Sequence, residues 1–190
     1  MRNCLLALIL VCGGCRRAEI AHYQVKKTAE TPAFASAAAS RDLPVRPEIP
    51  QSTLTWTLPA GWTESRAEGV RYATLKPAVP GKIDVSIVVL PGPAGGELAN
   101  VNRWRGQIGL PAMDEGALRK ARAAVKSPAG AISVYDFVSD GEAKSRLLAA
   151  ILVSEESTWF VKMLGDDRPV AAARPEFLHL LRSLRFDAAN

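Results

Sequence analysis

Two hydrophobic periods alternate along the second half of this chain. Between Ile83 and Leu90, one face carries Ile83, Val85, Ile87 and Val89, and the other carries Asp84, Ser86, Val88 and Leu90. One fully apolar and one mixed face predict an interior strand of a sheet covered by helices on at least one side. Pro91-Gly-Pro-Ala-Gly-Gly96 breaks that strand. Leu98, Val101, Trp104 and Ile108 then recur at three-three-four spacing, which predicts an amphipathic helix from about Glu97 to Gln107. Glu97 complements the helix dipole in its first turn, and Gly106, Gly109 and Pro111 end it.

Upstream, Leu54, Trp56 and Leu58 alternate before Pro59-Ala-Gly61, which predicts a strand and a turn, with Trp62 packed over the strand end. Arg71–Leu75 reads as a second short strand. Downstream, Met113–Lys126 reads as a second helix, acidic at its start and basic later, although Gly116 weakens it by about 1 kcal/mol relative to Ala. Ala131–Val138, Arg146–Val153 and Thr158–Leu164 are strand-like runs joined by short polar connections, the pattern of an antiparallel meander. A final helix is predicted from Phe177, Leu178, Leu181 and Leu184; Pro175 places its secure start at Arg174, or a kink there. Arg185-Phe186 either returns as a short strand or caps the core.

From Ala18 to Gln51 there is no sustained periodicity, and a leader precedes that stretch. Arg2 followed by the apolar run Leu5–Val11 has the form of an export signal, and the run is far short of the roughly 20 residues that span a bilayer. All three cysteines, Cys4, Cys12 and Cys15, lie here, which removes disulfides, Cys-based metal sites and a thiol nucleophile from the rest of the chain. Val11-Cys-Gly-Gly-Cys15 resembles the lipobox of bacterial lipoproteins, with Cys12 standing where leucine is usual. The resemblance implies a signal peptide over residues 1–14, lipid attachment at Cys15 and anchorage to a membrane. Arg16, in place of a retention aspartate, implies the periplasmic face of the outer membrane. Pro44, Pro47 and Pro50 favour an extended course, so residues 15–51 read as the lipidated N-terminus and an Ala/Pro-rich tether. A single domain over 52–190 follows.

Charge changes one inference. The formal charge of +5 divides into seven Lys/Arg against four Asp/Glu in residues 1–50, and seventeen against fifteen beyond. The basic balance belongs largely to the leader and tether, so a nucleic-acid role loses its support. Catalytic chemistry is not indicated. His22 and His179 have no metal-ligand spacing, Asp84, Asp136 and Asp140 are isolated along the sequence, and no G-x-S-x-G elbow occurs. The strand, glycine turn and helix around Gly92, Gly95 and Gly96 match neither phosphate-loop spacing, and Glu97 repels an anion there. Neither a metal nor a cofactor is expected. What remains as a candidate binding surface is the polar side of the first helix: Asn100, Asn102, Arg103, Arg105 and Gln107. Trp56 and Trp62 are weighed as a ligand platform and expected instead as buried anchors.

Trp159-Phe-Val-Lys-Met-Leu-Gly165, the helix ending in Ser183-Leu-Arg-Phe186 and the earlier Leu58-Pro-Ala-Gly-Trp62 together resemble PsbP-like and DcrB-like exported domains across roughly residues 53–187. Ala99–Gln107 also resembles a family of uncharacterised bacterial lipoproteins with this layout. The resemblance implies an α+β fold, an antiparallel sheet with helices packed on its faces, and no chemistry. The functional expectation is an envelope lipoprotein with a non-catalytic accessory or protein-binding domain. The alternatives are a small polar ligand or, less favoured, hydrolysis.

Overall fold

The computed structural model describes residues 53–66 and 69–187. The export signal, Cys15, His22 and the tether lie outside them. The strands are β1 (Leu54–Thr55), β2 (Thr63–Arg66), β3 (Arg71–Lys76), β4 (Ile83–Pro91), β5 (Ala123–Ser127), β6 (Gly130–Val138), β7 (Ser145–Val153), β8 (Ser157–Asp166) and β9 (Arg185–Phe186). The helices are α1 (Glu97–Gln107), α2 (Glu115–Ala121) and α3 (Asp167–Arg182). Seven strands form one antiparallel sheet in the order β2-β3-β4-β8-β7-β6-β5, and β1 pairs separately with β9. This is the expected α+β class, an antiparallel sheet with helices packed on its faces.

The period of two divides the core into two layers. Val85, Ile87 and Val89 of β4, Leu148, Ala150 and Leu152 of β7, and Trp159, Val161 and Met163 of β8 face one side. There α3 covers them with Val170, Ala173, Phe177, Leu180 and Leu181. The intervening residues, Leu147, Ala149 and Ile151 of β7 and Phe160 and Leu164 of β8, face the other side. There they meet Val101, Trp104 and Ile108 around α1, with Leu118 of α2. A strand buried on both faces reads as an unbroken apolar run, and Leu147–Leu152 is one.

Two expectations are corrected. The predicted helix over Met113–Lys126 is only Glu115–Ala121; Arg122 turns extended and Ala123–Ser127 becomes the edge strand β5. Helix propensity favours these residues, but Ser127 and Gly130 close a hairpin that pairs β5 with β6 and brings Val125 against the core. Likewise, of the two alternatives at Pro175, a start at Arg174 is excluded: α3 begins at Asp167 and carries Pro175 within it. Val170 and Ala173 bury on the same stripe as Phe177, and that burial outweighs the backbone bond that proline removes.

Elsewhere the predicted elements stand. α1 has the predicted bounds, the meander forms β6 to β8, and Arg185-Phe186 returns as β9. The first predicted strand shrinks to Leu54–Thr55, while Trp56 and Trp62 are buried as anchors. Trp56 donates its indole N–H to Glu64 (3.0 Å) and lies under the Arg66 guanidinium, 4.6 Å from the ring centroid. A register shift at Tyr72 in β3 puts that ring edge-to-face with Trp159, centroids 5.1 Å apart.

Gly165 marks where the sheet tolerates no side chain. A Cβ there would lie 1.9 Å from the Lys82 carbonyl oxygen, which accepts the Asp166 N–H at 3.0 Å. Gly165→Ala is expected to destabilise the domain by about 2 kcal/mol or more, read as a lower denaturation midpoint in urea. An unchanged midpoint would contradict this packing.

Candidate functional site

α1 lies on its sheet face as a bar whose two ends are held differently. At its N-terminus the chain leaves β4 through Gly92, Ala94, Gly95 and Gly96, all at positive φ. Gly92 donates its N–H to Glu156 O (2.8 Å) and accepts from the Thr158 hydroxyl (2.7 Å), which fixes the turn to β8. The glycines are thus required by backbone geometry. In the first turn Glu97 accepts hydrogen bonds from the Arg122 guanidinium and from the Tyr135 hydroxyl (2.5 Å), tying α1 to the end of α2 and to β6. Burial, followed by the bond to Glu97, pushes the Tyr135 phenol up to about 12, against the opposing pull of Arg122. Beside this turn lies a shallow hollow of about 260 Å³, floored by Ile151 and Phe160 and rimmed by Pro93, Glu97 and Val153.

The five polar residues proposed on α1 do not form one outward face. Asn100 is buried, 2% exposed, and donates its amide to Ala94 O (2.8 Å) and Gly96 O (2.7 Å), closing the glycine turn from below. Asn102 clamps Met113, donating to its carbonyl at 3.0 Å and accepting its N–H at 2.8 Å. Arg105 donates to Pro111 O (2.9 Å) and lies over Phe137, 4.8 Å from the ring centroid. Asn100 thus fastens α1 to the turn before it, and Asn102 and Arg105 fasten it to the segment after it. Arg103 and Gln107 remain exposed, although Arg103 also donates to the Asn100 side chain.

Those two meet a residue that the surface drawn from sequence omitted. Lys162 of β8 donates its ammonium to Gln107 Oε1 at 2.9 Å. It is half-buried on the α1 face, in register with Ser86 of β4, which pairs with Thr74 of β3. Also on β3, Arg71 donates to the Thr74 hydroxyl (2.8 Å) and to Asp84 of β4 (2.6 Å). Burial pushes the Lys162 ammonium below the ordinary lysine range; Asp84 opposes the shift, and the charges of Arg71 and Arg103 add to it. Three cations and one carboxylate therefore share a shelf formed by α1, β3, β4 and β8. A sequence signal for it exists: in Thr158–Leu164 the period of two puts Lys162 on the same face as Phe160 and Leu164, a charge where an apolar residue is expected.

Of the aspartates that stand isolated in the sequence, Asp84 and Asp136 are paired in space, Asp84 with Arg71. Asp136 accepts two bonds from Arg146, each 2.7 Å, and a third from Arg174 at 3.0 Å, joining β6, β7 and α3. His179 is exposed on α3. Among the described residues no group of three or more His, Cys, Asp or Glu side chains is placed to hold a metal ion.

No family model matches the chain, and no curated protein is similar to it in sequence. Three solved structures are similar at low identity. A crystal structure from Bacteroides thetaiotaomicron VPI-5482 has a TM-score of 0.45 and 10% identity, over 71% of this chain and 45% of that one. LpqN, involved in cell envelope biogenesis of Mycobacterium tuberculosis, has a TM-score of 0.43 and 12% identity, over 72% and 84%. Cyanobacterial PsbP (CyanoP) from Synechocystis sp. PCC 6803 has a TM-score of 0.45 and 11% identity, over 75% and 96%. The chain thus spans under half the length of the first. With each TM-score below 0.5, these likenesses say nothing about ligand or role.

The Tyr135–Glu97 bond gives a pH prediction. The phenol is held above its unfolded value of roughly 10, so the bond's contribution is present below pH 10 and is lost as pH rises towards 12. Tyr135→Phe is expected to be less stable than the parent at pH 8, with the gap closing between pH 10 and 12 in paired urea titrations. A gap that stays constant would contradict the assignment.

Proposed function

We propose that this chain is a lipid-anchored protein of the bacterial cell envelope, at the periplasmic face of the outer membrane, whose α+β domain is a non-catalytic accessory module that binds an envelope partner. The observation that carries this reading is the leader: a cationic start, a short apolar run, and Gly13-Gly14 directly before Cys15. One acyl chain binds a bilayer only marginally, so stable anchorage requires the two or more chains that lipoproteins of this kind carry. Residues 15–51 then give the domain reach from the membrane surface.

Within the domain, the acidic side chains most engaged in bonding join elements: Glu97 joins α1 to β6, and Asp136 joins β6 to β7 and α3. The polar groups left facing solvent along α1, Arg103 and Gln107, together with Lys162, suit recognition. The half-buried Lys162 held by the Gln107 amide also favours a second reading, a small polar ligand bound at that shelf.

Cys15→Ala is expected to move the protein from the membrane fraction to the soluble fraction and to leave its precursor uncut, as read by fractionation and mass spectrometry of the N-terminus. Unchanged partitioning and unchanged processing would contradict the anchor.

A further inference from the structure

We propose that the Lys162 shelf is a binding site for a phosphate group, with the Lys162 ammonium at its centre and the Arg103 and Arg71 guanidiniums flanking it. The inference rests on reading the domain as a binding module and names the chemistry that the module recognises.

An ammonium has three N–H donors, and here one goes to the neutral Gln107 amide. Among the described residues, the ion pairs within 4.0 Å do not include Lys162. A half-buried cation without a carboxylate in contact lacks compensating charge, because removal from water costs free energy that a neutral acceptor only partly offsets. Its neighbours deepen the deficit. Arg103 stands one helical turn before Gln107 and donates to Asn100, and Arg71 is bonded to Thr74 and Asp84 in the row that runs through Ser86 to Lys162. Both guanidiniums oppose the Lys162 charge, and Asp84 favours it. Three positive charges against one negative leave the shelf at +2, the complement of a phosphate monoester at neutral pH, whereas a carboxylate would neutralise half of it.

The donors also suit an oxyanion. Lys162 orients the Gln107 amide with its oxygen towards the ammonium, which leaves the Gln107 NH2 as a further donor beside it. The cations come from separate elements, Arg103 from α1, Arg71 from β3 and Lys162 from β8, so a small anion would be held from several sides. The C-terminal end of a helix is electronegative. Cations would therefore hold the anion without help from the helix, and binding should weaken steeply with salt. The glycine turn, at the other end of the same helix, carries the Glu97 carboxylate, which already takes up its partner Arg122.

The test uses the full chain in detergent micelles with carbon-13-labelled lysine. Inorganic phosphate is titrated in one arm; in the other, the micelles are doped with phosphatidic acid or with phosphatidylcholine. Either a soluble phosphate or a lipid headgroup should move the Lys162 Cε resonance saturably and shift its titration to higher pH, because the bound anion opposes what burial, Arg71 and Arg103 do to the ammonium. Response to inorganic phosphate identifies a soluble ligand; response to phosphatidic acid alone identifies a headgroup. By calorimetry, Lys162→Met should weaken binding at least about tenfold. Lys126→Met, which removes the same charge from β5, should change it less than about twofold. Should Lys162→Met fail to fold, Arg103→Gln on the exposed side of α1 must show the loss. Equal binding by the Lys162 and Lys126 variants, or no response in either arm, overturns the site. A chain that binds phosphate yet keeps unchanged partitioning when Cys15 is replaced overturns the anchor alone and supports the site.

Discussion

The pairing of β4 with β8 is the constraint on which the rest depends. Nine residue pairs, from Ile83 with Gly165 to Pro91 with Ser157, place two strands distant in sequence side by side at the centre of the sheet. Because each strand presents apolar residues on both sides, neither face can be left to water. α3 covers one face. The other must be covered by the chain that travels from β4 to the far edge at β5, and that chain is α1 and α2. The glycine turn, the Asn100 staple, the Asn102 clamp and the Glu97–Tyr135–Arg122 cluster all follow from the need to fix this crossover.

The shelf is a by-product of the same geometry. α1 is eleven residues long and packs against the β6–β8 part of the face. Beyond its Gln107 end the face turns polar, with Thr74, Ser86 and Lys162 in register across three strands and Arg71 and Asp84 at the rim. Lys162 marks the border between the apolar cover and this strip, which is why its ammonium is only half-buried and is met by an amide. The proposed recognition site sits where the helix cover stops.

Much of this was legible before the structure. The bounds of α1, the meander of β6 to β8 and the alternation that splits the core all follow from hydrophobic period, since burial on two sides leaves a strong mark on sequence. The failures share a cause. Ala123–Ser127 and the first turns of α3 have their conformation decided by partners remote in sequence, β6 and the sheet, so local propensity misplaces them. β2, a polar edge strand of four residues, has only one neighbour and leaves little pattern. The α1 surface was half legible. Helical spacing identifies which residues are polar, but not that Asn100, Asn102 and Arg105 use their hydrogen-bonding groups on the backbone around them. Lys162 carried a readable signal, a charge at an inward parity, whose meaning required Gln107 beside it.

The most direct test of the claim that recognition occurs at the Gln107 end of α1 is site-specific photo-crosslinking in cells from position 106. Gly106 is exposed, and a Cβ added there meets nothing within 4 Å beyond its chain neighbours and its own helix backbone, so a side chain can be introduced at this position. A discrete adduct from position 106 is expected, lost with Lys162→Met and not formed from a probe at Lys126. An adduct that survives Lys162→Met, or that forms equally from position 126, would contradict it.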